Sequence, residues 1–259
     1  MQQEILGVIP ARYESSRFPG KPLAIIAGKT MLQHVWERAT RARTLSRVAI
    51  ATDDDRIFRE ARRFGAEVCM TRGDHPSGSD RVAEVAAGGR AEVIVNIQGD
   101  EPLIDPDAVD AAVKGLLDVE ATPMGTLKKR IEDPAELSNP NVVKVVTDLE
   151  GNAIYFSRSA IPCVRGGVAV HFKHVGLYVY RREFLLGYSS LARGPLEEAE
   201  KLEQLRAIEN GFKIRVVETG YESLGVDTPE DLRRVSTLLE ADPSRARQQA
   251  VHEFRRQER

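Results

Sequence analysis

Three short apolar runs, ILGVIPA (5–11), RVAIAT (47–52) and AEVIVNIQ (91–98), carry almost no polar alternation, so each must be buried on both faces if it is a strand. Segments of helical period stand between them. Met31, Leu32, Val35, Trp36 and Ala39 form one apolar stripe, and Ile57, Phe58, Ala61 and Phe64 form another. Asp105 before Pro106 and Thr228 before Pro229 mark two further helix starts, with inward residues Val109, Ala112, Val113 and Leu116, then Leu232, Val235 and Leu239. This pattern predicts an α/β fold: a mainly parallel, Rossmann-like sheet flanked by helices. One stretch departs from the alternation. VVKVVTDLEGNAIYFSRS (142–159) reads as two β-rich runs around a turn, an inserted β-hairpin subregion placed at about 128–190. The expected organisation is a single domain over 1–241 followed by a basic tail, 242–259, with several Arg and few large apolar residues.

A formal charge of −2 provides no general attraction to nucleic acid, so any anion site must be local. Cys69 and Cys163 are the only cysteines; they have no metal-ligand spacing and are too few for a disulfide framework, which suggests a reducing compartment. The apolar run at the start is too short for a signal peptide, and no run reaches transmembrane length. The expectation is a cytoplasmic protein with neither nucleic-acid nor membrane partners.

In open α/β sheets ligands collect beyond the carboxyl ends of the strands. The first run ends in Ala11 and leads into a loop bearing Arg12, Arg17 and Lys21. A phosphate loop of the form G-x-x-x-x-G-K-[ST] would need Gly at Ser15 and Ser or Thr at Pro22, and G-x-G-x-x-G is absent. Two readings remain: a different anion-binding loop built on two guanidinium groups and an ammonium, or a solvated surface loop. After the third run comes GDEP, with Asp100 and Glu101, and Asp227 stands ahead of a helix start. Two carboxylates from separate strand ends suit Mg²⁺, while Asp227 taken alone equally suits a helix N-terminus. TRGDHPSGSDR groups Arg72, His75, Ser77, Gly78, Ser79 and Arg81, either as a ligand clamp or as a helix-capping loop with Asp80 or Ser79 as cap. His174 opens the strand-like run KHVGLYVY and is open to a structural or a functional role.

In order along the chain, IPARYESSRFPGKPL, HPSGSDR, NIQGDEP, NPNVVKVV, SRSAIP, KHVGLYVYRREFL, PLEEAEKLEQLRAIENG and GVDTPEDL resemble the segments of one family, the 3-deoxy-manno-octulosonate (Kdo) cytidylyltransferases, or CMP-Kdo synthetases. Enzymes that activate sialic acid with CTP share the arginine and lysine loop, but LEQLR with GVDTPEDL resembles the Kdo branch. The arginine-rich tail has no counterpart.

The resemblance implies a nucleotide-diphospho-sugar transferase-like fold and transfer of CMP from CTP to the anomeric hydroxyl of Kdo, releasing pyrophosphate, for lipopolysaccharide synthesis. It implies that Ala11, Arg12, Arg17, Lys21, Arg72, Ser77 and Gly78 surround the nucleotide, and that Asp100 and Asp227 bind Mg²⁺. Arg12, Lys21, Asp100 and Asp227 would carry catalysis. Gln98, Arg158, His174, Tyr178, Glu203 and Gln204 would form the sugar pocket, a guanidinium or imidazolium pairing with the Kdo carboxylate. Glu203 and Gln204 are expected within one helix whose apolar face is Leu196, Ala199, Leu202 and Leu205. A homodimer is expected, with CTP and Kdo as substrates. The competing readings are CTP-dependent activation of another acidic sugar, such as an amino analogue of Kdo or sialic acid, and a non-catalytic nucleotide-binding regulatory subunit.

Overall fold

In the first strand, β1 (Ile5–Ala11), every residue except Pro10 is buried, because helices cover both faces. The computed structural model describes residues 3–14 and 18–241, so Arg17 and the tail 242–259 lie outside the described residues. A short ribbon, β2 (Ile25–Ile26) and β3 (Lys29–Thr30), leads into α1 (Met31–Ala39), then β4 (Arg47–Thr52), α2 (Asp55–Arg63) and β5 (Glu67–Met70). There follow α3 (Gly78–Ala87), β6 (Val93–Asn96), α4 (Pro106–Leu117), β7 (Met124–Arg130) and α5 (Pro134–Ser138). The hairpin β8 (Lys144–Thr147) and β9 (Ala153–Ser157) precedes β10 (Phe172–Arg181). The chain closes through α6 (Arg182–Tyr188), α7 (Pro195–Glu200), α8 (Leu205–Glu209), β11 (Ile214–Glu218) and α9 (Pro229–Ala241).

The strands lie in the order β11-β7-β10-β6-β1-β4-β5. All neighbours are parallel except β10, which runs antiparallel to both β7 and β6. The fold is thus the expected mainly parallel sheet flanked by helices, made mixed by the antiparallel β10. The segment 128–190 divides: β8 and β9 form the expected hairpin and touch the sheet at Lys173↔Lys144, whereas β10 is an inner strand of the main sheet. On one face Ile5 and Ile9 pack with Leu32 and Val35 of α1, Ile57 of α2 and Val109 and Val113 of α4. On the other, Leu6 and Val8 meet Val82 of α3, Leu185 of α6 and Leu205 of α8.

The chain moves outward from β1 to β4 and β5, then returns to place β6 on the other side of β1. This reversal opens a crevice beyond the carboxyl ends of β1 and β6, where side chains from two diverging loops can meet. A third, small core of Ile26, Met31, Val226 and Val235 docks α9 on the β2–β3 ribbon and brings Asp227 back over this crevice. Among the described residues no helix is long and apolar enough to cross a membrane.

Candidate active site

Gly20 adopts φ 73°, a left-handed conformation that costs glycine little, and its N–H donates to the Tyr13 carbonyl at 2.8 Å. The bend begins a single 3₁₀ turn, Lys21–Leu23, with Pro22 buried. Lys21 Nζ then lies 2.8 Å from Asp100 Oδ2 and 3.3 Å from Asp227 Oδ1. The two acids lie far apart in the sequence and are joined by the Val226 N–H, which donates to the Asp100 carbonyl at 2.9 Å. Gly99 allows the approach: a Cβ there would stand 2.7 Å from the Pro10 carbonyl oxygen. Arg12, two residues after Pro10, donates through Nη2 to the carbonyls of His75 at 2.5 Å and Ser77 at 3.0 Å, drawing the loop before α3 to the end of β1. Ala11 is the last, buried residue of that strand.

The N-cap of α3 is Ser77, not Asp80 or Ser79: its hydroxyl accepts from the Asp80 N–H at 3.2 Å and donates to Asp80 Oδ2 at 2.7 Å. This reciprocal pair uses Asp80 as the third helical residue, which leaves Gly78 and Ser79 facing the crevice. There they border a cavity of about 160 Å³ with Pro10, Asn96, Gln98, Tyr178, Glu203 and Gln204. Gln98 donates to the Gly176 carbonyl at 3.0 Å. Two buried acceptors, Asn96 Oδ1 and Glu203 Oε1, have no hydrogen-bond partner among the described residues. Burial pushes the Glu203 carboxyl up, against the pull of a hydrogen bond from Ser79. A cavity with orphaned acceptors suits a ligand rich in hydroxyl donors, since such groups are costly to leave unpaired.

The sequence profile of the cytidylyltransferase family matches residues 6–214. A 3-deoxy-manno-octulosonate cytidylyltransferase of Solibacter usitatus (strain Ellin6076) is 67% identical over 243 residues, covering 93% of this chain and 96% of that protein. The chain belongs to the 3-deoxy-manno-octulosonate cytidylyltransferase family. The protein of that name from Geobacter sulfurreducens (strain ATCC 51573 / DSM 12127 / PCA) is 56% identical, over 91% of this chain and 99% of its own. A solved structure of CMP:2-keto-3-deoxy-manno-octonic acid synthetase complexed with CTP superposes with a TM-score of 0.90 at 45% identity, covering 93% of this chain and all of that one.

Of the residues that resemblance to the Kdo cytidylyltransferases singled out, Gly78, Gln98, Tyr178, Glu203 and Gln204 border the cavity, while Lys21, Asp100 and Asp227 form one cluster beside it. Others lie elsewhere. The Arg72 side chain is 70% exposed, beside Asp74 and Glu84. Arg158 is half-buried away from the cavity wall, its Nε donating to the Glu200 carbonyl at 2.7 Å and its Nη1 to that of Pro140 at 3.0 Å. His174 stands behind Tyr178, ring centroids 5.4 Å apart, and its Nε2 is 2.9 Å from Thr126 Oγ1. The Thr126 proton serves the Leu177 carbonyl at 2.8 Å, so His174 is the donor of that contact. Burial lowers its pKa to about 3. With no carboxylate beside it among the described residues to compensate its loss of water, burial favours the neutral imidazole.

Nor do Glu203 and Gln204 share a helix with Leu196. Lys201 takes the left-handed conformation, φ 53°, and ends α7; α8 begins at Leu205, so the two residues sit in the turn that faces the cavity. Asn96 was not singled out by the sequence, although it is the one polar residue in the buried strand VIVN and such a position is a signal of use. Tyr188, whose hydroxyl donates to the Glu203 carbonyl at 2.7 Å, carries no such signal.

Proposed function

We infer that this chain transfers the cytidylyl group of CTP to the anomeric hydroxyl of Kdo: that oxygen bonds to the α-phosphorus and loses its proton, the bond to the β-phosphate breaks, and pyrophosphate leaves. One observation carries the reading. Pro10 and Gln98 border the cavity, and two residues further on at the same strand ends Arg12 holds the loop before α3 while Asp100 stands in the ionic cluster with Lys21 and Asp227, so a hydroxyl-binding pocket adjoins a phosphate-handling one. Transfer between them needs in-line alignment and charge stabilisation rather than a covalent enzyme intermediate.

Asp100 Oδ2 and Asp227 Oδ1 converge on a single cation, the Lys21 ammonium, which supports the reading that these oxygens can share Mg²⁺. Bound there, Mg²⁺ would supply Lewis-acid stabilisation of the phosphate charge and lower the pKa of the attacking hydroxyl. Lys21 then turns its charge to the triphosphate, while Arg12 fixes the loop that carries Ser77 and Gly78. Asn96, Gln98, Glu203 and Gln204 read sugar hydroxyls, and His174 backs Tyr178. Among the described residues none bordering the cavity is cationic, so the sugar carboxylate draws on a group outside it, for which Arg158 is the candidate.

We further propose a homodimer formed through the hairpin and the segment after it. Leu149, Ile154, Val168 and Val170 are exposed there, an apolar set that a second copy can cover. Free thiols at Cys69 and Cys163 suit a cytoplasmic enzyme. Pyrophosphate release with CTP and Mg²⁺, measured with Kdo and separately with sialic acid, tests the reaction; turnover with sialic acid in preference would overturn it. Light scattering on the eluted protein tests the dimer.

A further inference from the structure

Glu101 follows Asp100 directly, yet its side chain turns inward and only 7% of the residue is exposed. Oε2 accepts from the Tyr221 hydroxyl at 2.9 Å and Oε1 from the Ser223 hydroxyl at 2.7 Å, across 120 and 122 residues of chain. Among the described residues no ion pair reaches it, so these two hydroxyls are what make its burial tolerable. Glu222, between them, points the opposite way and pairs with Lys129 and, at 2.5 Å, with Lys173, which Glu136 also holds at 2.5 Å. Three successive residues are thus anchored on alternating sides. Three residues beyond Ser223, Val226 donates to the Asp100 carbonyl, and Asp227 follows. Between the end of β11 at Glu218 and the start of α9 at Pro229 the backbone has no regular structure, so the place of Asp227 depends on such anchors on one side and, on the other, on Asp231 of α9, whose Oδ2 accepts from the Asp227 N–H at 3.1 Å.

We propose that Glu101 is a positioning residue: by accepting from Tyr221 and Ser223 it fixes the segment that presents Asp227 opposite Asp100, while Asp100 itself takes the ligand. Adjacent acids divide the labour, one outward for binding and one inward for geometry. The inference rests on the reading that Asp100 and Asp227 hold the metal, and it adds which groups set their separation. Loss of either hydroxyl leaves a buried acceptor unserved and frees the segment.

Mn²⁺ is the probe, followed by electron paramagnetic resonance on the whole enzyme with CTP present and sugar absent, so that nothing turns over. Tyr221→Phe and Ser223→Ala are each expected to weaken Mn²⁺ binding about five-fold or more, an effect near 1 kcal/mol. Metal-free CTP binding by calorimetry should stay near that of the parent enzyme, while the metal-free melting midpoint falls in the hydroxyl variants because a buried acceptor has lost its partner. Glu101→Gln, whose amide can accept from one hydroxyl and donate to the other, should retain Mn²⁺ affinity, whereas Glu101→Ala should lose it. Unchanged Mn²⁺ affinity in both hydroxyl variants, or parallel loss of Mn²⁺ and metal-free CTP binding, overturns the proposal. So does a Glu101→Gln loss as large as that of Asp227→Asn, since Glu101 would then act by its charge. If Asp227→Asn itself binds Mn²⁺ normally, the metal reading has failed; if it binds weakly while the hydroxyl variants do not, only the positioning role has.

Discussion

Lys21 Nζ donates to Asp100 Oδ2 at 2.8 Å, across 79 residues of chain, and with Asp227 Oδ1 at 3.3 Å it stands between the two carboxylates proposed above to share Mg²⁺. Removal of the ammonium leaves Asp100 and Asp227 facing each other. Lys21→Ala should therefore destabilise the metal-free protein by about 1 kcal/mol, and Mg²⁺ should recover more stability in the variant than in the parent. Melting curves in chelator and in Mg²⁺ measure both terms. Equal stabilisation of the two proteins by Mg²⁺ would detach the lysine from the metal site.

Asp100→Asn and Asp227→Asn keep the shape of each side chain and remove its charge. Each is expected to lower kcat by about 100-fold or more at ordinary Mg²⁺, since a metal contributes several kcal/mol to charge stabilisation in such transfers. Pyrophosphate release beside a thermal melt separates this effect from unfolding. Near-parental turnover in either variant at saturating Mg²⁺ would remove that residue from the site.

How far the sequence foretold this arrangement depended on the range of the interactions. The runs of β1, β4 and β6 were legible because burial on both faces leaves no polar alternation, and Asp105 caps α4 through its own side chain, a local contact. The direction of β10 was not: its sequence reads as a strand, but its antiparallel place between β7 and β6 is set by partners about 50 and 80 residues away. The break at Lys201 was equally hidden, because a left-handed helix end is announced by Gly or Asn and here falls on lysine. Among the site residues, the motifs named Lys21, Asp100 and Asp227, and only tertiary structure could show the lysine bridging the acids. For His174 and Arg158 the motif gave the residue but not its surroundings.

The orphaned acceptors give the cavity a separate test. Asn96→Leu removes one acceptor, an amide oxygen, and Glu203→Gln converts the second, a carboxyl, to an amide; each is expected to raise the KM for Kdo about ten-fold while metal-free CTP affinity is unchanged. Steady-state kinetics in Kdo and calorimetry with CTP read the two halves independently. A rise in the CTP constant matching that for Kdo would place these groups outside sugar recognition.

Gly99 is where the loop after β6 crosses the end of β1. A methyl group there meets the Pro10 carbonyl at 2.7 Å, backbone that cannot swing aside, so Gly99→Ala must push Asp100 away from the Arg12 loop. The expected cost is about 1–3 kcal/mol of stability, with a loss of kcat that raised Mg²⁺ does not fully restore. Denaturant unfolding and Mg²⁺-dependent kinetics check it. Should the alanine variant match the parent in both, the two loops are less tightly joined than their separation implies.

His174 ties stability to pH. Its folded pKa is lowered by burial to about 3, below the ordinary value of 6.5, so the unfolded chain binds the proton first. The contribution of neutral His174 is complete above about pH 6.5 and is lost progressively as pH falls toward 3, reaching on the order of 2 kcal/mol by about pH 5. His174→Gln, which keeps an N–H donor for Thr126 and cannot be protonated, should therefore have a shallower decline in unfolding free energy between pH 7 and pH 5 than the parent. Denaturant titrations at the two pH values, with Kdo absent, yield the difference directly. Parallel declines in the two proteins would mean that His174 takes up its proton without leaving its place behind Tyr178, and the imidazolium would return as a candidate partner for the sugar carboxylate.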